Sequence, residues 1–268
     1  MIINHNLNAM NAHRNLSFNN IQQGKSSEKL SSGYRINRAA DDAAGLSISE
    51  KMRAQIKGMN QGMRNTQDGI SMVQAAEGAM NEVSDMLTRM KELTTQASNG
   101  TYSADDIAAI QLEYQALSDE ISRIATNFSF NGITLLDGSA GNVTIQSAGS
   151  DADAIVLDLS GINLTSLTFG TISNQATAAT ERGVVDAAIT SVNTARSTLG
   201  AYQNRLEHAY NNTSVNAENL QAAESRIRDT DMAAEMMKFT KFNILQQAST
   251  AMLAQANQAP QGVLQLLR

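Results

Sequence analysis

The chain has 268 residues, a formal charge of −6, 42% hydrophobic but only 4% aromatic residues, no Trp, no Cys and one Pro, Pro260. So few ring-bearing core fillers argue against a wide globular core, and a single Pro leaves long helices uninterrupted. Without Cys, disulfides, Cys-ligated metals and thiol nucleophiles are excluded.

The charge is uneven. Residues 1–65 carry nine Lys/Arg against four Asp/Glu, whereas residues 131–180 carry four Asp and no Lys/Arg. The basic residues are interspersed with Asn, Gln and apolar residues, which describes a solvated or protein-contacting helix face rather than a nucleic-acid arm. The opening MIINHNLNAMNAHRNL lacks the basic start and apolar run of a secretory signal. No stretch is apolar and long enough to insert into a membrane. An exported chain of this kind leaves by a route that reads another signal.

Residues 3–31 are helical in composition, with Ile3, Leu7, Met10 and Ile21 on one face and Ile2, Leu16 and Phe18 off it. GYRINRAADDAAGLSI at 33–48 follows as a joint. Gly33 is placed to end the first helix in a left-handed conformation. Asn37, Asp41 or Asp42 is placed to cap the next helix. Ala39, Ala40, Ala43, Ala44 and Gly45 leave room for another chain, and Arg35, Arg38, Asp41 and Asp42 offer directional contacts.

Met52, Ile56, Met59, Met63, Ile70, Val73, Ala76, Met80, Val83, Leu87, Met90 and Ala97 then keep an approximate heptad spacing, and Gly100 follows. A third helix, capped by Ser103 or Asp105, carries Ile107, Ile110, Tyr114, Leu117, Ile121 and Ile124. The methionines read as gap-fillers of a bundle. Residues 128–176 change character. Turn signals at Asn131-Gly132, Asp137-Gly138, Gly141-Asn142 and Ser160-Gly161 separate Ile133–Leu136, Val143–Ile145, Ile155–Leu159 and Leu164–Phe169, read as β-hairpins.

The strongest periodicity follows. Val185, Ala188, Val192, Ala195, Leu199, Tyr202, Leu206, Ala209, Thr213, Asn216, Leu220, Ala223 and Ile227 alternate steps of three and four, a coiled-coil seam of roughly 65 Å at ~1.5 Å per residue. Arg226, Arg228, Asp229 and Asp231 form a second joint. The last helix places Met232, Met236, Phe239, Phe242, Leu245, Ala248, Met252 and Ala256 at helical spacing, with Met237, Ile244 and Leu253 elsewhere around the cylinder. Apolar residues on several faces of both end helices call for burial on several sides, and the chain holds no spare core for them. The end helices are expected to order on assembly.

The architecture expected is mainly α: a long coiled-coil rod with a small β-hairpin insert and paired terminal helices. Its segments are 1–42, 43–127, 128–180, 181–228 and 229–268. No catalytic constellation accompanies it. His5, His13 and His208 form no metal motif, and no cofactor is implied.

LSSGYRINRAADDAAGLSISEKMRAQI at 30–56 resembles the N-terminal signature of bacterial flagellin. NFSFNGITLLDG at 127–138 is similar to the segment entering flagellin's hairpins, and the stretch from Arg226 to Arg268 resembles its C-terminal end. The resemblance spans nearly the whole chain except about 140–180 and lacks the large variable outer domains. It implies a subunit exported unfolded by the flagellar type III apparatus, polymerising under a cap protein into a helical homopolymer, with junction proteins and an export chaperone as further partners. Its inner core would be built on Ile3, Leu7, Met10, Met236, Phe239, Leu245 and Met252. The joints would hold Arg35, Arg38, Asp41, Asp42, Arg228, Asp229 and Asp231. It also implies a contact patch for a host's flagellin-sensing Toll-like receptor at Arg89, Leu93 and Glu113. A hook–filament junction protein and a secreted coiled-coil effector or receptor ligand are the competing expectations.

Overall fold

The computed structural model describes residues 5–149 and 153–266, and side chains as far as residue 258. The elements in order are α1 (Leu7–Ser32), α2 (Ala43–Ala97), α3 (Ala104–Asn127), β1 (Ser129–Phe130), β2 (Ile133–Thr134), β3 (Asn142–Gln146), β4 (Ala154–Asp158), α4 (Gln175–Arg228) and α5 (Met232–Leu266). The fold is mainly α with a small hairpin insert, as the periodicities predict. It divides into two compact units, one made of the chain's two ends (Met1–Ala54 with Asn219–Arg268) and one of residues 55–218.

In the unit of residues 55–218, the heptad positions Val73, Ala76, Met80, Val83, Leu87, Met90 and Ala97 of α2 are all buried. They share one core with Ile107, Ile110, Tyr114 and Ile121 of α3, and with Val185, Ala188, Val192, Ala195, Leu199 and Leu206 of α4. The predicted α4 seam slips once. Asn216 is exposed and Ala217 is buried, so the step after Thr213 is four rather than three. A straight helix drifts by about 20° per heptad against a 3.5-residue repeat, and an extra four-residue step restores the inward face.

Local chemistry sets the helix ends. Ser103 and Asp106 form a reciprocal capping box at α3. Asn174 Oδ1 accepts from the Thr177 N–H at 2.9 Å, starting α4. Between the helices, Lys91 pairs with Asp186 at 2.7 Å, and the Gln175 side chain donates to the Ser98 carbonyl at 2.9 Å.

The insert forms two separate antiparallel hairpins. Asn131 and Gly132, at φ 50° and 82°, make the two-residue turn between β1 and β2, where two positive φ values match the strand twist. β3 pairs with β4 from Asn142↔Asp158 to Gln146↔Ala154. The strand expected at Leu164–Phe169 does not form. Asn163 Oδ1 accepts from the Ser166 N–H and the Thr165 hydroxyl, which folds the segment into turns that compete with a ladder. Leu164 N–H bonds to the Leu136 carbonyl instead. The insert has no core of its own: Leu135, Leu136, Leu157, Leu159, Ile162, Leu164 and Ile172 join the helical core.

The end of the β3–β4 hairpin rests on α2 where that helix carries no side chains. A Cβ on Gly62 would run into the Ser147 carbonyl, and one on Gly58 would come within 3.1 Å of Gly149 Cα. Asn65 Nδ2 donates to the Gln146 carbonyl at 3.1 Å, and the Thr213 hydroxyl to that of Ser147 at 3.3 Å, tying the hairpin to both long helices.

Candidate assembly interface

The terminal unit is built inside out. α1 and α5 run antiparallel: Asn6 Nδ2 donates to the Ala256 carbonyl at 2.7 Å, Asn19 Nδ2 to Ser249 Oγ at 3.0 Å, and the Ser26 hydroxyl to Glu235 Oε1 at 2.7 Å. Among the residues whose side chains are described, those buried in the pair are the polar Asn19, Ser26 and Glu235. Most of the large apolar residues face solvent: Leu7, Met10, Phe18 and Ile21 on α1, and Met232, Met236, Met237, Ile244, Leu245 and Met252 on α5, while Leu16, Leu30, Phe239, Phe242 and Leu253 are half-buried. Hydrogen bonds across the seam fix register, while the hydrophobic effect acts outward, toward whatever covers these faces. A groove of about 490 Å³ between the two helices is lined by Asn8, Asn11, Ala12 and Asn15 on one side and by Leu245, Ala248, Ser249 and Met252 on the other.

The expected core residues Leu7, Met10, Met236, Leu245 and Met252 are therefore exposed in the single chain, Phe239 is half-buried, and Ile3 lies outside the described residues. Leu16, placed off the apolar face by the sequence, is less exposed than Leu7, Met10 or Ile21. The seam selects for small and hydrogen-bonding groups, so apolar periodicity does not mark it.

Glu235 is held by three opposing effects. Burial pushes its carboxyl up, but the Ser26 hydroxyl, the Lys238 ammonium 3.0 Å away and the charge of Lys29 outweigh it, and the net value falls below the ordinary 4.5. A carboxylate depressed in the folded state contributes stability above its unfolded value, and that contribution is lost as pH falls through the folded one. Hydrogen-exchange protection of α1 and α5 is expected to fall below about pH 4.5, and Glu235→Gln will flatten that acid limb. An unchanged profile in the variant would remove Glu235 from the pairing.

The two joints meet. Tyr34 and Asp229 form an antiparallel bridge, Arg35 N–H donates to the Arg228 carbonyl at 2.6 Å, and Thr230 N–H to that of Gly33 at 3.0 Å. Gly33 ends α1 at φ 75°, as its position predicts. Arg35 also donates to the Ile227 carbonyl at 2.5 Å, and Arg38 pairs with Glu28 at 3.0 Å. Asp41 accepts from the backbone N–H groups of Arg38 and Asn37, and the Arg38 bond first, then that of Asn37 and the charges of Lys29 and Lys25, hold its carboxyl below the usual range against the opposing effect of burial. Asp42 caps α2 through the Gly45 N–H, and Asp231 caps α5 through those of Ala233 and Ala234.

Two features of the joint escape the sequence. Arg228 stacks over the Tyr34 ring at 4.9 Å and pairs with Glu50, whose carboxyl it holds low. Ile36, 1% exposed, plugs the joint; an isolated apolar residue in a polar stretch was the available signal. Gly45 is spent within the chain. A Cβ there would strike Asp42 and Ile36, so it does not leave room for another chain as expected.

The three residues of the expected receptor patch separate. Arg89 Nε donates to Glu113 Oε1 at 2.8 Å and its Nη1 to Glu92 Oε2 at 2.9 Å, and these two carboxylates raise the guanidinium's affinity for its proton. Arg89 and Glu113 are exposed, but Leu93 is 1% exposed and belongs to the core. The spacing of four brings Leu93 beside Arg89, yet the buried stripe through Met90, Thr94 and Ala97 is wide enough to take it in. His5, His13 and His208 are exposed, and among the described residues no group of three His, Cys, Asp or Glu is placed to hold a metal.

A helical core in one unit and, in the other, a terminal pair with a polar seam and outward apolar side chains describe a structural subunit. Residues 3–141 match the bacterial flagellin N-terminal helical region and residues 183–267 the C-terminal helical region. A flagellin of Halalkalibacterium halodurans is 55% identical over 272 residues, covering all of both chains. The crystal structure of Bacillus cereus flagellin superposes with a TM-score of 0.52 at 38% identity, over 60% of this chain and 94% of that one. A putative flagellar hook-associated protein from Vibrio parahaemolyticus superposes over 70% of this chain and all of that one with a TM-score of 0.58, but at 14% identity, which speaks for the fold alone. The chain belongs to the bacterial flagellin family: it is a structural subunit of the flagellar filament and not an enzyme. Among the described residues, no helix is long and apolar enough to cross a membrane.

Proposed function

We propose that the chain elongates the filament by covering the outer faces of its terminal helix pair with those of its neighbours. The carrying observation is the inverted pair, with Asn19, Ser26 and Glu235 inside and Leu7, Met10, Ile244 and Met252 outside. Burying such a side chain fully contributes roughly 1.5–3 kcal/mol, and a head-to-tail interface that does not close generates an open helical polymer. In this proposal residues 1–42 and 229–268 form the inner core, residues 43–127 and 181–228 form the surrounding rod, and 128–180 form the insert. The subunit passes unfolded through the flagellar type III apparatus with an export chaperone, joins the filament beyond the junction proteins and under the cap, and serves swimming outside the cell. The exposed Arg89–Glu113 pair is the remaining surface for a host Toll-like receptor, with Leu93 acting only from below it.

Electron microscopy of purified protein supplied with short filament seeds tests the assembly. Long filaments of uniform diameter are expected. Persistent monomers or short caps would return the protein to an adaptor or a soluble effector.

A further inference from the structure

The thirteen methionines divide by place. Met72, Met80 and Met90 are at most 4% exposed in the helical core, Met52, Met59, Met63 and Met86 are half-buried, and Met1 lies outside the described residues. Among the described residues, every exposed methionine lies on α1 or α5: Met10, Met232, Met236, Met237 and Met252, at 49–69% exposure. The chain has no Cys, so no thiol within it intercepts an oxidant first. A thioether packs as an adaptable apolar group, whereas its sulfoxide is polar and chiral and disrupts a methionine-rich interface.

We propose that these five methionines are an oxidation site controlling assembly: a peroxide converts them to sulfoxides in the free subunit and blocks its addition to the filament, and sulfoxide reduction restores it. With hydrogen peroxide, a sulfur lone pair attacks one peroxide oxygen. The S–O bond forms as the O–O bond breaks, and the departing hydroxide takes the proton of the transferred oxygen and leaves as water. Sulfur gives up two electrons and the peroxide gains them. The proposal rests on assembly through the outer faces of α1 and α5. Those faces are open only before incorporation, so the free subunit is the oxidisable form and the filament is protected. The core methionines are shielded by the fold itself.

The experiment treats full-length monomer with hydrogen peroxide, maps sulfoxides by peptide mass spectrometry, and follows elongation of untreated seeds. Sulfoxide is expected on Met10, Met236, Met237 and Met252 before Met80 or Met90. Elongation is expected to fall at least tenfold with unchanged far-UV circular dichroism, and to return after methionine sulfoxide reductase. Preformed filaments will take up sulfoxide on α1 and α5 at least tenfold more slowly. The variant Met10→Leu, Met232→Leu, Met236→Leu, Met237→Leu, Met252→Leu will elongate equally with and without peroxide; if it does not assemble, reductase rescue of the wild type decides. Oxidised monomer that elongates at the untreated rate, or a block that the reductase leaves in place, overturns the proposal. Failure of untreated monomer to elongate seeds would instead refute the assembly reading beneath it.

Discussion

Met236→Asp and Leu245→Asp will each stop seeded elongation while the free subunit keeps its helical signal and its thermal transition. Both side chains are exposed in the single chain, so neither substitution opens a cavity or buries a charge within it. Surface changes of this kind usually stay within about 0.5 kcal/mol of the original stability. On the proposed interface the same position is covered in the polymer, and an aspartate there would have to lose its hydration. The effective penalty for an unpaired buried charge is several kcal/mol. Each ~1.4 kcal/mol is a tenfold change in an association constant, so a loss of about 3 kcal/mol raises the concentration needed for growth more than a hundredfold. Phe239→Asp is a poorer probe, because Phe239 is already half-buried and its loss also disturbs the monomer. Filaments of normal length from Met236→Asp would remove the outer face of α5 from the interface.

The sequence made the helical core legible because its chemistry is repetitive. Val73 through Ala97 bury apolar side chains along the heptad positions, and Val185 through Leu206 do the same except at the half-buried Tyr202, which is what a 3.5-residue period encodes. Two caps were legible for a similar reason: Ser103 and Asp42 each stand just ahead of a helical pattern. The terminal pair was only half legible. Apolar residues around α1 and α5 announced partners, but the seam between them is written in Asn19, Ser26 and Glu235, residue types that ordinarily mark solvent. Leu93 failed in the opposite sense, since its spacing from Arg89 gave a shared face without saying which way that face turned. The docking of the hairpin on Gly58 and Gly62 depends on backbone approach over long separation, to which a periodicity in side chains is blind.

Tyr114 decides how firmly the insert is joined to the helices. Its ring is fully buried, Phe169 meets it edge-on at 6.4 Å between centroids, and its hydroxyl donates to Glu181 Oε2 at 3.1 Å. The same carboxylate oxygen accepts from the Gly170 N–H at 2.9 Å, so one residue of α3 orders both the loop after the hairpins and the first turns of α4. Burial, then the charge and hydrogen bond of Glu181, push the phenol's pKa up, and it stays a donor throughout the range in which the protein is handled. Truncating a buried aromatic side chain costs about 3–5 kcal/mol in lost transfer energy and residual cavity. Tyr114→Ala is therefore expected to lower the melting temperature by roughly 6–20 °C, at about 2–4 °C per kcal/mol for a unit of this size. Tyr114→Phe keeps the ring and removes one hydrogen bond, which leaves Glu181 its Gly170 donor and costs roughly 1 kcal/mol. Thermal melts of the two variants separate packing from hydrogen bonding. Equal losses would mean that the hydroxyl carries the whole contribution, and a small loss in both would mean that the loop holds its place without Tyr114.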